Sequence, residues 1–441
     1  MESLNPNKHG KGDGSTFLRS RDGRWCATLP LPSPDGKRRR VTRLANPNTE
    51  AGAKKALVAL RRELASSGDI PTQSQTLASW MNVWFETIAL KNVRPKTAAT
   101  WRSMIEKHII PAIGSVQLAK LMPSHVRHMA KTIEDKGLSS STGLLAHRIL
   151  GVALRDAVRE GRTTRNVTEL VDAPRKAAKT LAVLTPQDGL KVLHAVTGDP
   201  ASNIPPDRLA SRTWAAFLTG ARQGELLGLE LDRVGDDLNL SWQLQRLSWE
   251  HGCGEPTGHD DKGKPVYPCK RKRGTDCDKK KLTAPADWEH RHLTGGLYLS
   301  RPKSDAGWRI IPLVDPLRSI IEQRVHDAAS EPNPFGLLWT ADPKRDSHGE
   351  LLPLDGMPVD PRWDNEKWHA DLARAGVKDA RLHDARHTTA SLLRKAGVPI
   401  EVITKIMGHS SHAQSVEYMD FDREQLSDAL KLASLTLMPA I

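Results

Sequence analysis

The stretch RLHDARHTTASLLRKAGV, Arg381 to Val398, gathers two histidines and three arginines in a segment that otherwise reads as an amphipathic helix. His383 and Arg386 stand three apart, so at a helix start they share a face. That end also carries unpaired backbone N–H groups, which favour an anion. Leu382, Ala385, Ala390, Leu392 and Leu393 supply an apolar side for burial. A helix start with an arginine and a histidine suits a phosphate, although H-x-x-R alone is common and a solvated helix end would read the same way.

Three further stretches give that motif its weight. TGARQGELLGLEL (219–231) has the same layout, with Arg222 at a helix start after Gly220, a stripe of leucines behind it, and Glu225 one turn on to orient an arginine. IMGHSSHAQSVEYMDFD (406–422) places His409 just after a glycine helix stop and Tyr418 nine residues later. LYLSRPKSDAGWRIIPL (297–313) has a hairpin pattern with Lys303 at its turn and Arg309 as an exposed strand residue. His387 reads as a packing or supporting histidine, and His412 as solvent-facing.

The bulk composition agrees with a phosphate-rich partner. Among 441 residues, Lys and Arg number 65 against 52 Asp and Glu, a net charge of +13. A surplus of this kind points to a polyanion, with nucleic acid the first candidate. No apolar run approaches the roughly 18 residues of a membrane span. The first residues lack a signal-peptide core. Four cysteines in this length make no disulfide scaffold. The expectation is a cytoplasmic protein with no membrane partner.

The length predicts two or three domains. STFLR (15–19), RWCATL (24–29) and RRRVTR (38–43) read as three short strands separated by turns, followed by a helix over 49–68 capped by Thr49. GDIPTQSQT (68–76) is a linker. From 77 to about 173 the pattern is helical throughout. Its first helix sets Leu77, Trp80, Met81, Trp84 and Phe85 on one stripe. A mixed α/β domain runs from about 182 to the C-terminus. It is interrupted at 251–296 by a segment without periodicity, rich in Gly, Pro, Lys and Cys. Cys253, Cys269 and Cys277, with His251 or His259, could form a Cys₃His zinc site, but a flexible basic loop is the alternative. The C-terminal stretch 422–438 is amphipathic and either packs on a neighbour or folds onto its own domain.

The order Arg222, Lys303, His383-x-x-Arg386, Gly408-His409, Tyr418 resembles the tyrosine recombinases, the phage integrase family. The stretches that carry the likeness are TGARQGELLGL, RPKSDAGWRIIPL, LHDARHTTASLL and MGHSSHAQSVEYMD. The resemblance covers nearly the whole chain. It implies a multidomain α and α/β protein. Residues 1–66 would form a small sheet-and-helix domain for accessory arm sites, and 74–173 a helical, SAM-like core-binding domain. Residues 182–441 would form a mostly helical catalytic domain with a small sheet.

The chemistry suits those residues. Arg222 and Arg386 can clamp the negative charge of a phosphodiester transition state. Tyr418 can attack phosphorus and store the bond as a reversible ester. Lys303 can protonate the leaving 5′-oxygen, with Lys262 and Lys264 as competitors for that role. His383 can take the tyrosine proton or hold the phosphate, and His409 can donate to a phosphate oxygen. No cofactor is required. The expected partners are double-stranded DNA at core and arm sites, three further copies in a tetramer, and a host bending protein or excision factor. A type IB topoisomerase shares a similar residue set, and a binder without catalysis is a further alternative. The three-domain layout speaks against the first and the complete motif set against the second.

Overall fold

The computed structural model describes residues 13–31, 39–67, 75–175, 184–198, 205–260, 265–302, 308–408 and 423–437. They divide into two compact units, 1–178 and 179–441.

The first unit holds two separate hydrophobic cores. Strands β1 (Ser15–Arg19), β2 (Arg24–Leu31) and β3 (Arg39–Leu44) form an antiparallel sheet in chain order. Helix α1 (Glu50–Ser67) covers one face of it, with Leu57 and Leu60 buried against Ala27, Leu29 and Leu31. Thr49 caps α1 by accepting the Gly52 N–H at 3.0 Å. Only Val41 of β3 packs on this core, because arginines occupy half of the strand.

The helical core begins with α2 (Leu77–Trp84), which continues through a wider turn over Phe85–Ala89 into α3 (Leu90–Asn92). The sequence stripe Leu77, Trp80, Met81, Trp84 and Phe85 is buried in full. Thr76 caps α2 through its side chain. Helices α4 (Pro95–Met104), α5 (Ile110–Ile113), α6 (Pro123–Asp135) and α7 (Ser140–Arg159) complete the bundle. Both buried indoles find partners on α7. Trp80 Nε1 donates to the Ala153 carbonyl at 3.0 Å and Trp84 Nε1 to Asp156 at 2.9 Å, while Trp84 also stacks on Trp101. A buried tryptophan whose N–H is satisfied adds area without a polar penalty.

The second unit is built around one large core. Its helices are α8 (Pro186–Thr197), α9 (Ala210–Thr219), α10 (Gln223–Leu227), α11 (Leu317–Ala328), α12 (Pro361–Arg374), α13 (Leu382–Lys395), α14 (Ile400–Met407) and α15 (Arg423–Leu437). Two small sheets flank them. One pairs β4 (Asp237–Asn239) with β10 (Ile310–Pro312). The other orders β5 (Gln243–Arg246), β9 (Leu297–Ser300) and β8 (His290–Thr294). A short pair, β6 (Gly258–His259) and β7 (Pro265–Val266), sits inside the insertion.

Two expectations change here, and one open alternative is resolved. The two arms of the 297–313 stretch do not pair with each other in the described residues: β9 joins β5 and β8, whereas β10 joins β4. The irregular insertion ends earlier than 296, because His290–Thr294 is a strand closed onto β9 by a Gly295 turn. Its side chains alternate weakly, so no apolar period announces it. Finally, α15 folds onto its own unit, with Ala429, Leu430 and Ala433 in the core.

Helix α13 is fastened to α9 by Thr389, whose hydroxyl donates to the Phe217 carbonyl at 2.7 Å. Helix α12 is fastened to α9 by a buried ion pair between Arg212 and Asp364, both 3% exposed. Gln223 at the start of α10 donates to the same carboxylate at 2.7 Å and to the Pro361 carbonyl at 2.8 Å. Breaking such a pair on one side strands a buried charge. Asp364→Ala should therefore lower the stability of this unit by about 3–5 kcal/mol, while Arg212→Met with Asp364→Leu recovers most of it. Urea unfolding reads both, and an unchanged midpoint in the single variant would show that the pair does not hold α12 in place.

Candidate active site

Two arginines of the sequence motif meet where α9, α10, α13 and α14 converge. Gly220 ends α9 in a left-handed conformation, φ +60°. A Cβ there would lie 2.8 Å from the Met407 sulfur, so only glycine lets the chain turn at this point. The turn delivers Arg222 to the start of α10. Glu225, three residues on, caps that start by accepting the Arg222 backbone N–H at 2.6 Å. Its other oxygen accepts the Arg222 guanidinium at 2.8 Å. Arg222 Nη2 also donates to the Gly408 carbonyl at 3.0 Å.

Arg386 comes from the first turns of α13 and is 3% exposed. Its guanidinium donates to two backbone carbonyls, those of Gly220 and Met407. The end of α9 and the end of α14 are thereby pinned to one side chain. Gly408 closes α14, again left-handed at φ +60°, and His409 follows it in sequence.

A third arginine belongs to this cluster. Arg309, expected on an exposed strand face, is buried instead and grips Glu225 with both terminal nitrogens, at 2.9 and 2.6 Å. The alternation of the sequence held the signal. In WRIIPL, Trp308 and Ile310 are 50% and 58% exposed, while Arg309, Ile311 and Leu313 face inward. Trp308 and Ile310 point outward while the arginine points in, which inverts the usual rule for those three positions.

Burial alone would favour a neutral Glu225, but Arg309 and Arg222 outweigh it and hold the carboxyl below its ordinary range. Burial, followed by the charges of Arg222 and Arg309, pushes Arg386 down to about 9. It remains a cation at neutral pH, so the cluster sets three guanidiniums against the carboxylate of Glu225, which bonds two of them. The surplus positive charge suits an incoming anion.

His383 lies one turn before Arg386 on α13, with an edge contact to His387 at 5.1 Å between ring centroids. Desolvation of its inner side, then the charges of Arg386, His387 and Arg222, hold its pKa below the ordinary histidine value. It is neutral at pH 7 and able to accept a proton. The start of α13 is itself capped: Asp384 accepts the Arg381 backbone N–H at 2.8 Å. The anion expected at that helix end is thus a residue of the chain, and the phosphate-binding capacity rests on the arginine side chains.

Lys303, His409 and Tyr418 lie outside the described residues. Lys262 and Lys264 do as well. Of the two described tyrosines, Tyr298 is 3% exposed and burial pushes its phenol up to about 12, which makes it a poor nucleophile. Tyr267 stacks on His251 within the insertion.

Arginine side chains gathered beside a neutral histidine can grip an anion such as a phosphodiester. Residues 76–133 match the phage integrase N-terminal SAM-like domain and residues 294–425 match the phage integrase family. An integrase of Saccharopolyspora erythraea is 31% identical over 439 residues, covering 94% of this chain and 95% of the relative. An integrase of Streptomyces ambofaciens is 23% identical, covering 98% and 97%. In fold, the chain is similar to the Tn1549 transposon integrase solved with transposon right end DNA, with a TM-score of 0.56, 18% identity, and coverage of 83% of this chain and all of that one. The chain belongs to the phage integrase family of tyrosine recombinases and is a site-specific recombinase, an enzyme that breaks and rejoins DNA. Among the described residues, no helix is long and apolar enough to cross a membrane.

Both oxygens of Glu225 are taken up by Arg222 and Arg309, which it positions. Glu225→Gln keeps the shape and removes the charge. Losing charged hydrogen bonds of about 1.5–3 kcal/mol should slow single-turnover strand cleavage by roughly 10- to 100-fold. The loss should appear in the cleavage step more than in DNA affinity. Cleavage at the parent rate in a folded variant would show that Glu225 does not hold the arginines for the reaction.

Proposed function

We propose that the chain integrates and excises a mobile element, such as a prophage, by cutting and rejoining DNA through a 3′-phosphotyrosyl intermediate. The observation that carries this reading is the convergence of Arg222 and Arg386 on the turn at Gly220 and on the end of α14, one residue before His409. In the reaction, the Tyr418 oxygen bonds to the scissile phosphorus and the bond from phosphorus to the 5′-oxygen breaks. Arg222 and Arg386 hold the non-bridging oxygens as their charge rises. Neutral His383 takes the phenol proton, Lys303 gives a proton to the leaving 5′-oxygen, and His409 donates to a phosphate oxygen. A 5′-hydroxyl from a partner duplex then attacks the phosphotyrosine, releasing the phenol and joining new strands. The arginines supply the charge neutralisation, so the strand transfer draws on no cofactor.

Three domains divide the work. Residues 1–66 bind accessory arm sites, 74–173 bind the core site, and 182–441 perform the chemistry while also contacting DNA. The separate cores within residues 1–178 support that division. The arginine-rich β3 supports a phosphate-facing role for the first domain. Four protomers act together on two duplexes, so that two rounds of exchange pass through a four-way junction. A host bending protein or an excision factor sets the direction.

Two outcomes test this. Tyr418→Phe should bind paired attachment sites with unchanged affinity and give no joined product, whereas relaxation of supercoiled DNA without recombination in the parent chain would favour a topoisomerase. The second concerns pH. Because the His383 pKa lies below the ordinary 6.5, the proton acceptor is lost only as pH falls through that depressed value. Cleavage should stay level from pH 8 down to neutrality and decline at more acid pH, and His383→Gln should remove that acid limb. A limb that persists in His383→Gln would assign the proton transfer to another group.

A further inference from the structure

The insertion between β5 and β8 contains a cluster that the strand-transfer chemistry does not use. His251, Cys253, Cys269 and Cys277 each turn one ligand atom inward, and these atoms all lie within 4.8 Å of one another. The geometry points to a structural zinc ion held by these four side chains, as a Cys₃His site that folds the insertion.

The spacing is near what a tetrahedral ion needs. Ligand atoms about 2.0–2.3 Å from a zinc are separated by roughly 3.3–3.8 Å along the tetrahedron's edges. Cys269 Sγ already lies 3.3 Å from His251 Nδ1. The His251 ring is stacked on Tyr267 at 3.9 Å with an interplanar angle of 9°, which fixes the direction of that nitrogen.

Lys270, directly after Cys269, has a left-handed φ of +56°, the only such non-glycine among the described residues. That strained turn is what wraps the chain around the sulfur.

A crosslink also answers a deficit. Between His251 and Lys281 the only clearly apolar side chains are Val266 and Tyr267, so the segment cannot build a core. Its base is closed by paired backbone hydrogen bonds between Glu250 and Lys281 at 2.9 and 3.0 Å. The four ligands close the remainder. A disulfide would use two sulfurs and leave the third, and the imidazole, without a purpose. Three thiolates and one imidazole select zinc over the harder divalent ions. The resulting complex carries one net negative charge. It sits among the cations Lys270–Arg273 and Lys279–Lys281, whose positions the metal would fix.

The test is metal content of the full-length chain, purified reduced and without chelator. About one zinc per chain is expected in the parent and in Cys26→Ser, whose residue lies in the N-terminal sheet, and a near-complete loss in Cys269→Ser and Cys277→Ser. Cobalt added to the stripped parent chain should give a thiolate charge-transfer band and tetrahedral d–d bands, a readout that needs no variant to fold. A parent chain that neither retains zinc nor gives the cobalt spectrum would overturn the proposal. So would zinc retained in Cys277→Ser, or a disulfide among these cysteines in a non-reducing peptide map of freshly purified protein. Because none of these readings is strand cleavage, failure here leaves the recombinase reading where it stands.

Discussion

One buried carboxylate holds the arginine cluster of the second unit together. Glu225 caps α10, takes the guanidinium of Arg222, and is gripped on both oxygens by Arg309 from the edge of β10. Two chain segments far apart in sequence, the start of α10 and the residue before β10, are thereby fixed to one anion. Arg386 is fixed differently, by the carbonyls of Gly220 and Met407. The difference matters electrostatically. Carbonyls orient a guanidinium without neutralising it, so Arg386 keeps its full charge for a substrate. A second carboxylate here would stabilise the resting protein and weaken the hold on a phosphate.

The supporting structure follows from that need. A cluster of like charges can persist in a folded protein only if the packing around it is firm. Thr389 ties α13 to α9, and the Arg212–Asp364 pair with Gln223 ties α12 to both α9 and α10. These contacts keep the arginines from moving apart, which their mutual repulsion would otherwise favour. The His251–Lys281 part of the insertion is different, since its only clearly apolar side chains are Val266 and Tyr267.

Much of this was legible in the sequence. The buried stripe from Leu77 to Phe85 followed from helical spacing, and the Thr49 cap from its position before an apolar helix. Glu225 could be read as the partner of an arginine because it lies one turn beyond Arg222. Arg309 escaped, since a charged residue between apolar neighbours is ordinarily the exposed one, and only the alternation with Ile311 and Leu313 argued otherwise. The 297–313 stretch suggested a hairpin because a turn-like segment separates two apolar runs; strand partners are chosen by long-range packing, which local pattern does not encode. Likewise the cysteine spacing gave ligands without a knuckle, and only the fold brings His251 beside Cys269.

The account comes down to where a cut DNA strand becomes attached. The arginine cluster ends at Gly408, and Tyr418 lies ten residues further along the chain. Reaction with a nicked duplex that carries the element's junction, in which the released strand cannot return, should trap the covalent complex. Proteolysis and mass spectrometry then locate the bond. A single peptide–nucleotide adduct at Tyr418, through the phosphate at a 3′ end, is the predicted result. An adduct at Tyr267, at Tyr298 or at a serine, or one through a 5′-phosphate, would contradict it.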